Sequence, residues 1–437
     1  MTSDPANVPL PDALPNPRGG AVRAADAWLA AAANAFERRD DAAAPLSAAA
    51  AVLAEAGWLP AARFAGQLAA AAPLVATEPT SAGWRIALRD FRAAVGRHNL
   101  RELACSPLLF DHFCALRAQG AADLHASVPL DVLALVGRAI PPATLRAMPD
   151  AFASRARARY EQALLGVLRT AHGSPNGSPD AALDELDAIV AALAADGPYD
   201  FWQLAAACLR ALRATNAPEL KRFLARTNLL LGEHAQGRRH APPALVRETA
   251  ALLWRDFALF GAAAEDVALV DVLHDYGLTV DWHVAGTPAS EALWEAGAAQ
   301  AEHDAVAVAP TRMLGVVTVN AHAYEDFLQT ADASMAELAL DPAAADAGAA
   351  WRASAAAYRV GTAACALGLG HAALLADTLG LAWRRAAHGV PLAGDGLGAH
   401  RRASDLLRGA LLKIAAGVAP PDLTAASGAL GEALGRT

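Results

Sequence analysis

Cysteine is scarce in this chain, and its scarcity limits the kinds of site that the chain can build. Only four cysteines, Cys105, Cys114, Cys208 and Cys365, are spread over 437 residues. A structural zinc site needs closely spaced pairs of ligands, and a disulfide framework needs a high density of cysteines. Because the spacings match neither pattern, we expect buried free thiols, no metal site and no cofactor.

Long uncharged segments are also missing, although 55% of the residues are hydrophobic and the mean hydropathy is +0.24. Much of this fraction is alanine, which favours helix but adds little transfer free energy on burial. The longest stretch without a formal charge, residues 360–376, is too short to span a membrane and contains His371. Residues 1–20 hold five prolines where a signal peptide needs an apolar run. We therefore expect a cytoplasmic protein without membrane insertion and with a disordered N-terminal tail.

Positive charge is too sparse for a polyanion-binding protein. The chain has 36 basic and 45 acidic residues, a net charge of −9, and a pI near 5.8. Nucleic acids and anionic membranes are bound by concentrated positive fields. The basic patches at residues 237–240 and 401–402 are short and typical of solvated loop ends. Neither nucleic acid nor an anionic membrane is therefore expected as the main partner.

Apolar residues recur at spacings of three and four along most of the chain, which predicts amphipathic helices. We predict a mainly α fold of several helical bundles, with room for one short strand pair in the β-prone segments 278–284 and 314–319. The glycine-rich residues 394–398 are expected to form a loop. The predicted segments are a tail (1–20), an N-terminal bundle (21–125), a linker (126–153), a central bundle (154–262), a connecting segment (263–320) and a C-terminal bundle (321–437).

The C-terminal bundle resembles a histidine-phosphotransfer (Hpt) domain, a four-helix bundle whose second helix carries histidine in a pattern like AHxLxGxxxxxGL. Residues 357–369 read AYRVGTAACALGL, which places Tyr358 at the histidine position. Residues 53–68 resemble the second half of a similar hairpin and place Ser47 there. In order, 157–169 (RARYEQALLGVLR), 201–204 (FWQL), 220–227 (LKRFLART) and 314–332 resemble the N-terminal region of the type IV pilus chemosensory histidine kinases PilL and ChpA. The chain is also similar to the FimL-like proteins, stand-alone pilus regulators that lack the phosphoacceptor histidines.

The two substitutions remove the relay chemistry that the resemblance would otherwise imply. Phosphotransfer needs an exposed, largely neutral imidazole as nucleophile and leaving group. The phenol of Tyr358 has an ordinary pKa near 10 and is a poor nucleophile without a base, and the hydroxyl of Ser47 fails similarly. Ala50 also stands where an Hpt domain usually has a lysine, three residues after the histidine. We expect both positions to be chemically silent, so the chain would not be an enzyme.

The resemblance implies a scaffold or regulator of twitching motility and cyclic-AMP signalling, recruited to the cell pole. Its implied partners are the receiver domain of a response regulator and a polar pilus hub protein, with exposed faces around Tyr358, Arg359 and His371 as the expected docking surface. Two alternatives remain open: an active phosphotransfer protein that uses His371, or a helical enzyme with a pocket between bundles. Against the latter, no HExxH, GxSxG, Walker or GxGxxG pattern occurs in a suitable context. The His/Asp pairs at residues 111–112, 274–275, 281–283 and 303–304 are weak candidates for metal ligands or a general base, because neighbouring residues on a helix point apart.

Overall fold

The computed structural model describes most of the chain, and the statements below concern those residues. They are 20–75, 80–97, 100–120, 128–170, 180–195, 197–213, 218–260, 267–280, 311–314 and 317–436. They form 18 α-helices, one 3₁₀ turn and one two-stranded antiparallel sheet. The predicted class, mainly α with helical bundles, is therefore confirmed. Residues 1–19 of the predicted tail lie outside the described part, and Gly20 already begins a helix.

The chain divides into two compact units. Unit 1 comprises residues 1–138 and 281–433, and unit 2 comprises residues 139–280 and 434–437. Unit 1 thus contains helices from both the predicted N-terminal and the predicted C-terminal bundle, whereas unit 2 contains the central one. None of the described helices is long and apolar enough to cross a membrane.

The first part of unit 1 is a bundle with an aromatic core. The ring of Phe64 stacks on Phe91 at 4.6 Å, and Phe36 stacks on Trp84 at 4.1 Å. The Trp84 indole Nε1 donates a 3.0 Å hydrogen bond to the Leu68 carbonyl, so this large ring is buried without an unpaired polar atom. The helices are α1 (Gly20–Arg38), α2 (Ala43–Glu55), α3 (Leu59–Ala71), α4 (Thr80–Arg97), α5 (Leu100–Cys105), α6 (Pro107–Gly120) and α7 (Asp131–Ala134).

The C-terminal part of the chain is centred on a hairpin of two alanine-rich helices, α15 (Ala347–Ala366) and α16 (Gly370–Ala387). Small side chains let the two axes approach closely, and nearly all of α16 is buried. Across the bundle, the Tyr324 hydroxyl donates to the Ile414 carbonyl at 2.5 Å, which ties the helices that carry these two residues together. The elements are β1 (Thr311–Leu314), β2 (Val317–Asn320), α14 (Ala321–Leu338), α15 (Ala347–Ala366), α16 (Gly370–Ala387), α17 (Asp395–Ala415) and α18 (Thr424–Arg436).

The structure has one short strand pair, as the prediction allowed, but only one of the two β-prone segments contributes to it. The strands β1 and β2 pair with each other, and the described residues of the other β-prone segment, 278–280, form no strand. Strands that are neighbours in sequence pair more readily than strands that are far apart, because their ends are already close along the chain. The predicted loop at residues 394–398 lies almost wholly in α17, which begins at Asp395. A Cβ on Gly396 would lie 3.3 Å from Cβ of Ala433, so the glycine serves close helix packing here.

Unit 2 is a helical bundle, and a short extended segment around Thr144 forms backbone hydrogen bonds to two of the connections between its helices. The Thr144 amide donates to the Tyr199 carbonyl at 2.8 Å, and the Thr144 carbonyl accepts from the Phe201 amide at 3.0 Å. The adjacent Leu145 amide donates to the Arg239 carbonyl at 2.9 Å. The segment thus fixes the starts of two helices. The helices are α8 (Asp150–Thr170), α9 (Asp180–Leu193), α10 (Phe201–Arg213), α11 (Pro218–Ala235), α12 (Pro243–Phe260) and α13 (Val267–Asp275).

Candidate functional site: two paired helical hairpins

The turn between α2 and α3 has a distinctive geometry. Helix α2 ends in a left-handed residue, Gly57, with φ of 78°, followed by Trp58 at φ −86° and ψ 61°. The Gly57 amide donates to the Ala54 carbonyl at 2.9 Å, and the Trp58 amide donates to the Leu53 carbonyl at 2.8 Å. This is a Schellman cap, which needs a residue tolerant of positive φ directly after the helix.

The turn between α15 and α16 repeats this geometry. Gly368 has φ of 73°, and Leu369 follows at φ −82° and ψ 67°. The Gly368 amide donates to the Cys365 carbonyl at 3.1 Å, and the Leu369 amide donates to the Ala364 carbonyl at 2.8 Å. The hydrogen bonds join equivalent positions in both turns, so unit 1 contains two hairpins of the same local design.

The two hairpins contact each other at these turns. The Trp58 indole Nε1 donates a 2.8 Å hydrogen bond to the Gly368 carbonyl in the other hairpin. In the opposite direction, His371 Nε2 lies 2.9 Å from the Glu55 carbonyl. A carbonyl only accepts, so Nε2 of His371 carries the proton. Each hairpin therefore supplies a side-chain donor to a carbonyl at, or just after, the end of the partner hairpin's first helix.

Glycines allow the two turns to touch through their backbones. A Cβ on Gly57 would lie 2.5 Å from the His371 amide nitrogen, and a Cβ on Gly370 would overlap the Gly57 carbonyl. Any side chain at either position would push the turns apart. The paired hairpins are thus held by main-chain contact as well as by the two side-chain hydrogen bonds.

A buried ion pair lies beside this contact. Arg138 Nη1 donates to Asp377 Oδ2 at 2.7 Å, and only 4% of the Asp377 side chain is exposed. Burial raises the pKa of the Asp377 carboxyl, and the Arg138 guanidinium opposes this shift. Gly361 on α15 makes room for the carboxyl, since a Cβ there would overlap Asp377 Oδ1. The pair ties the end of the N-terminal half to the centre of α16 in unit 1.

Unit 2 has its own buried polar network. Trp202 Nε1 donates to His234 Nδ1 at 3.1 Å, and His234 Nε2 donates to the Arg146 carbonyl at 2.7 Å. The two bonds fix the neutral tautomer of His234 with its proton on Nε2, and burial lowers its pKa. The imidazole thus joins α10, α11 and the segment before α8.

Residues 146–280, nearly the whole of unit 2, match the family described as the FimL scaffold protein second domain. These residues are thus similar to the second domain of the FimL scaffold protein. No curated protein and no solved structure matches the chain. The His234 network lies inside the matched residues, as do the helices whose sequence resembles the kinase region, including residues 201–204 and 220–227.

The two predicted pseudo-phosphoacceptor positions differ in accessibility. Ser47 is exposed on α2, and its Oγ donates to the Ala43 carbonyl at 2.9 Å. Tyr358 on α15 is only 5% exposed, so the expectation of an exposed face at this residue is wrong. The reason is packing against α16: a Cβ on Gly380 would overlap the Tyr358 ring, so the ring fills the space that this glycine leaves. Outside the matched residues, a hydroxyl is thus accessible at one position and a phenol is covered at the other.

The two other predicted docking residues also differ in accessibility. Arg359 is exposed, while His371 is only 6% exposed and is engaged with the Glu55 carbonyl. Its Nδ1 faces the Asp422 carboxylate at 3.6 Å. His371 thus contributes to the hairpin contact and is not part of an open surface.

The remaining His/Asp pairs build no site in the described part of the chain. His112 pairs with Asp90 of α4 at 3.0 Å instead of with its neighbour Asp111. The pairs at 281–283 and 303–304 lie outside the described residues. No group of three or more histidine, cysteine or acidic residues comes close enough to hold a metal ion among the residues described.

Sequence reasoning missed Asp377, Gly361 and Gly380, which shape the interior of the C-terminal hairpin. A signal was present: an aspartate and glycines interrupt helices that are otherwise apolar. In a buried helix a glycine commonly marks close approach of a neighbour, and an aspartate there needs a partner. The partner, Arg138, is distant in sequence and could not have been identified from the pattern.

Proposed function

We propose that this protein is a non-catalytic scaffold of a type IV pilus or chemosensory signalling system and acts by binding other proteins. The observation that carries the proposal is the similarity of residues 146–280 to the second domain of the FimL scaffold protein. The two hairpins of unit 1 support it, because a hydroxyl and a covered phenol occupy the positions where the Hpt resemblance would require imidazoles.

The partners that this function needs are a receiver domain of a response regulator and a polar hub protein of the pilus machinery. Both follow from the resemblance to the FimL-like proteins and the pilus kinases. Recruitment to the cell pole and an effect on cyclic-AMP signalling are further parts of the proposal. They require no membrane insertion by the chain itself.

Phosphotransfer through His371 is less well supported by the geometry. A nucleophilic imidazole must be open to its phosphodonor, but His371 is buried and its Nε2 is engaged with Glu55. The other nitrogen faces the Asp422 carboxylate, which would repel an incoming phosphoryl group.

The alternative of a helical enzyme would be favoured by a pocket that holds several of the His/Asp pairs. Two grooves of 560 and 950 Å³ lie along α1, and no histidine lines either of them. These grooves therefore give that alternative no support.

A labelling experiment separates the scaffold from the phosphotransfer protein. The full chain is incubated with a sensor kinase and labelled ATP, and in parallel with a phosphorylated receiver. We expect no acid-labile, base-stable label on the chain. Genetic replacement with Tyr358→Phe and Ser47→Ala should leave twitching motility and cyclic-AMP levels intact, while deletion of the gene should lower both. Stable labelling, or loss of motility on removing only the hydroxyls, would contradict the proposal.

A further inference from the structure

One face of α15 is open from its start to Arg359. Trp351, Arg352, Ala355 and Arg359 are all exposed, whereas every residue from Val360 to Ala366 is buried. Arg352, Ala355 and Arg359 follow each other at spacings of three and four residues and so lie on one ridge of the helix, and Trp351 lies four residues before Ala355 at its edge. We call these four residues the α15 ridge.

The two arginines of the α15 ridge are uncompensated. Arg352 and Arg359 make no ion pair in the described part of the chain, although the protein carries a net charge of −9. Other exposed arginines of the same unit do pair, as Arg85 does with Glu37 at 2.7 Å. Asp346, at the start of the same helix, uses its carboxylate to cap the helix by accepting from the Ala349 amide. The ridge therefore presents two positive charges about two turns apart.

The tryptophan of the ridge is held in a fixed position. The Arg384 guanidinium lies 4.6 Å from the Trp351 ring centroid, and the His388 ring meets it edge-on at 4.9 Å. Of Trp351, 38% remains exposed. An aromatic ring that is already ordered loses little conformational entropy on binding, and tryptophan and arginine are the residues most often found at binding hot spots.

We propose that the α15 ridge binds an acidic amphipathic helix of a partner protein. A convex helix ridge fits a second helix, and the exposed Ala355 between the arginines allows the two axes to come close. Carboxylates two turns apart on the partner would meet Arg352 and Arg359, and an aliphatic side chain would cover Trp351. The inference rests on the proposed scaffold function and gives it a surface.

Other occupants fit the α15 ridge less well. A second copy of this chain would have to offer an acidic helix such as α9. There, Asp184 and Glu185 already pair with Arg213 and Arg159, and the charges of Asp180 and Asp187 also act on Arg213. An anionic membrane is usually recognised by clusters of about four to eight basic residues. Two arginines on a chain of net charge −9 are also too few for a nucleic acid.

The test uses a designed labelled peptide, an amphipathic helix with glutamates two turns apart on either side of leucines. Fluorescence anisotropy measures its binding to the full chain at low and high salt. We expect saturable binding that weakens as salt is added. The double variant Arg352→Glu with Arg359→Glu should bind about tenfold more weakly, because two attractive contacts become repulsive. Trp351→Ala should weaken binding at every salt concentration, and the peptide with glutamine for glutamate should bind poorly.

A matched double variant controls for net charge. Arg63→Glu with Arg402→Glu changes the charge equally at two other exposed arginines of unit 1 that make no ion pair in the described part of the chain, and it should bind like the wild type. Three results would overturn the inference: no saturable binding, equal weakening by both double variants, or equally strong binding of anionic vesicles or duplex DNA. None of these bears on the scaffold function, which the labelling and motility experiments test separately.

Discussion

His400 on α17 makes the stability of unit 1 depend on pH. Its ring is 2% exposed and meets the Trp383 ring edge-on at 4.6 Å. Its Nε2 has no hydrogen-bond partner in the described part of the chain. Burial lowers its pKa from 6.5 to about 4, against a small opposing effect of the Asp341 carboxylate. The folded protein therefore holds this histidine neutral at a pH where an unfolded chain would protonate it.

The sign and size of the effect follow from proton linkage. Above about pH 6.5 the imidazole is neutral in both states, and its contribution to stability is complete. As the pH falls further, only the unfolded chain takes up the proton, so stability is lost until about pH 4. A shift of about 2.5 pKa units corresponds to a loss of about 3 kcal/mol in the free energy of unfolding over this window.

The measurement compares the wild type with His400→Phe, which keeps an aromatic ring against Trp383 but cannot titrate. Urea unfolding at a series of pH values between about 7.5 and about 4.5 gives the free energy of unfolding of each protein. Other titrating groups contribute equally to both, so the difference isolates His400. We expect the wild type to lose stability relative to the variant by about 2 kcal/mol between about pH 6.5 and about pH 5. A difference that stays constant with pH would refute a neutral, buried His400.

Three further predictions concern the paired hairpins. Trp58→Phe removes the indole donor and leaves a buried carbonyl unpaired, which should lower the free energy of unfolding by about 1 to 3 kcal/mol in a denaturation experiment. Gly380→Ala should cost about 1 to 3 kcal/mol in the same assay because the new methyl group overlaps the Tyr358 ring, and adding Tyr358→Leu should restore part of the loss. Asp377→Asn leaves the Arg138 charge without its counterion and should cost about 3 kcal/mol or more, whereas removing both charges together should cost less than the sum.

The helices of this protein could be predicted from sequence because their signal is local. Apolar spacings of three and four residues predict helices along most of the chain, and its described residues form 18 of them. The pairing of the strands could not be predicted, because β-propensity identifies a segment but not its partner. The first turn of α17, residues 395–398, is predicted as a loop because residues 394–398 contain three glycines and an aspartate, which have low helix propensity. Propensity alone does not include the packing that stabilises the helix there.

The candidate site shows more sharply how far prediction from sequence can go. Counting back from the turn placed Tyr358 in the correct helix but could not tell that its ring is covered. That burial depends on Gly380, which follows in the next helix, and on how closely α15 and α16 approach. Likewise, a lone Asp377 in an apolar helix indicates a buried partner, yet Arg138 is far away in the chain.

The pairing of the hairpins also explains where a partner can dock on unit 1. Reaching the buried residues 360–366 of α15 and the faces of α16 would require the two hairpins to separate. Separation would break the hydrogen bonds of Trp58 and His371 and the Arg138–Asp377 pair, at a cost of about 5 kcal/mol. A partner of ordinary affinity, whose total binding free energy is about 8 kcal/mol at micromolar strength, would spend most of it on this opening. Docking on the exposed residues of α15 up to Arg359 needs no such separation, so the α15 ridge is the accessible surface of that helix.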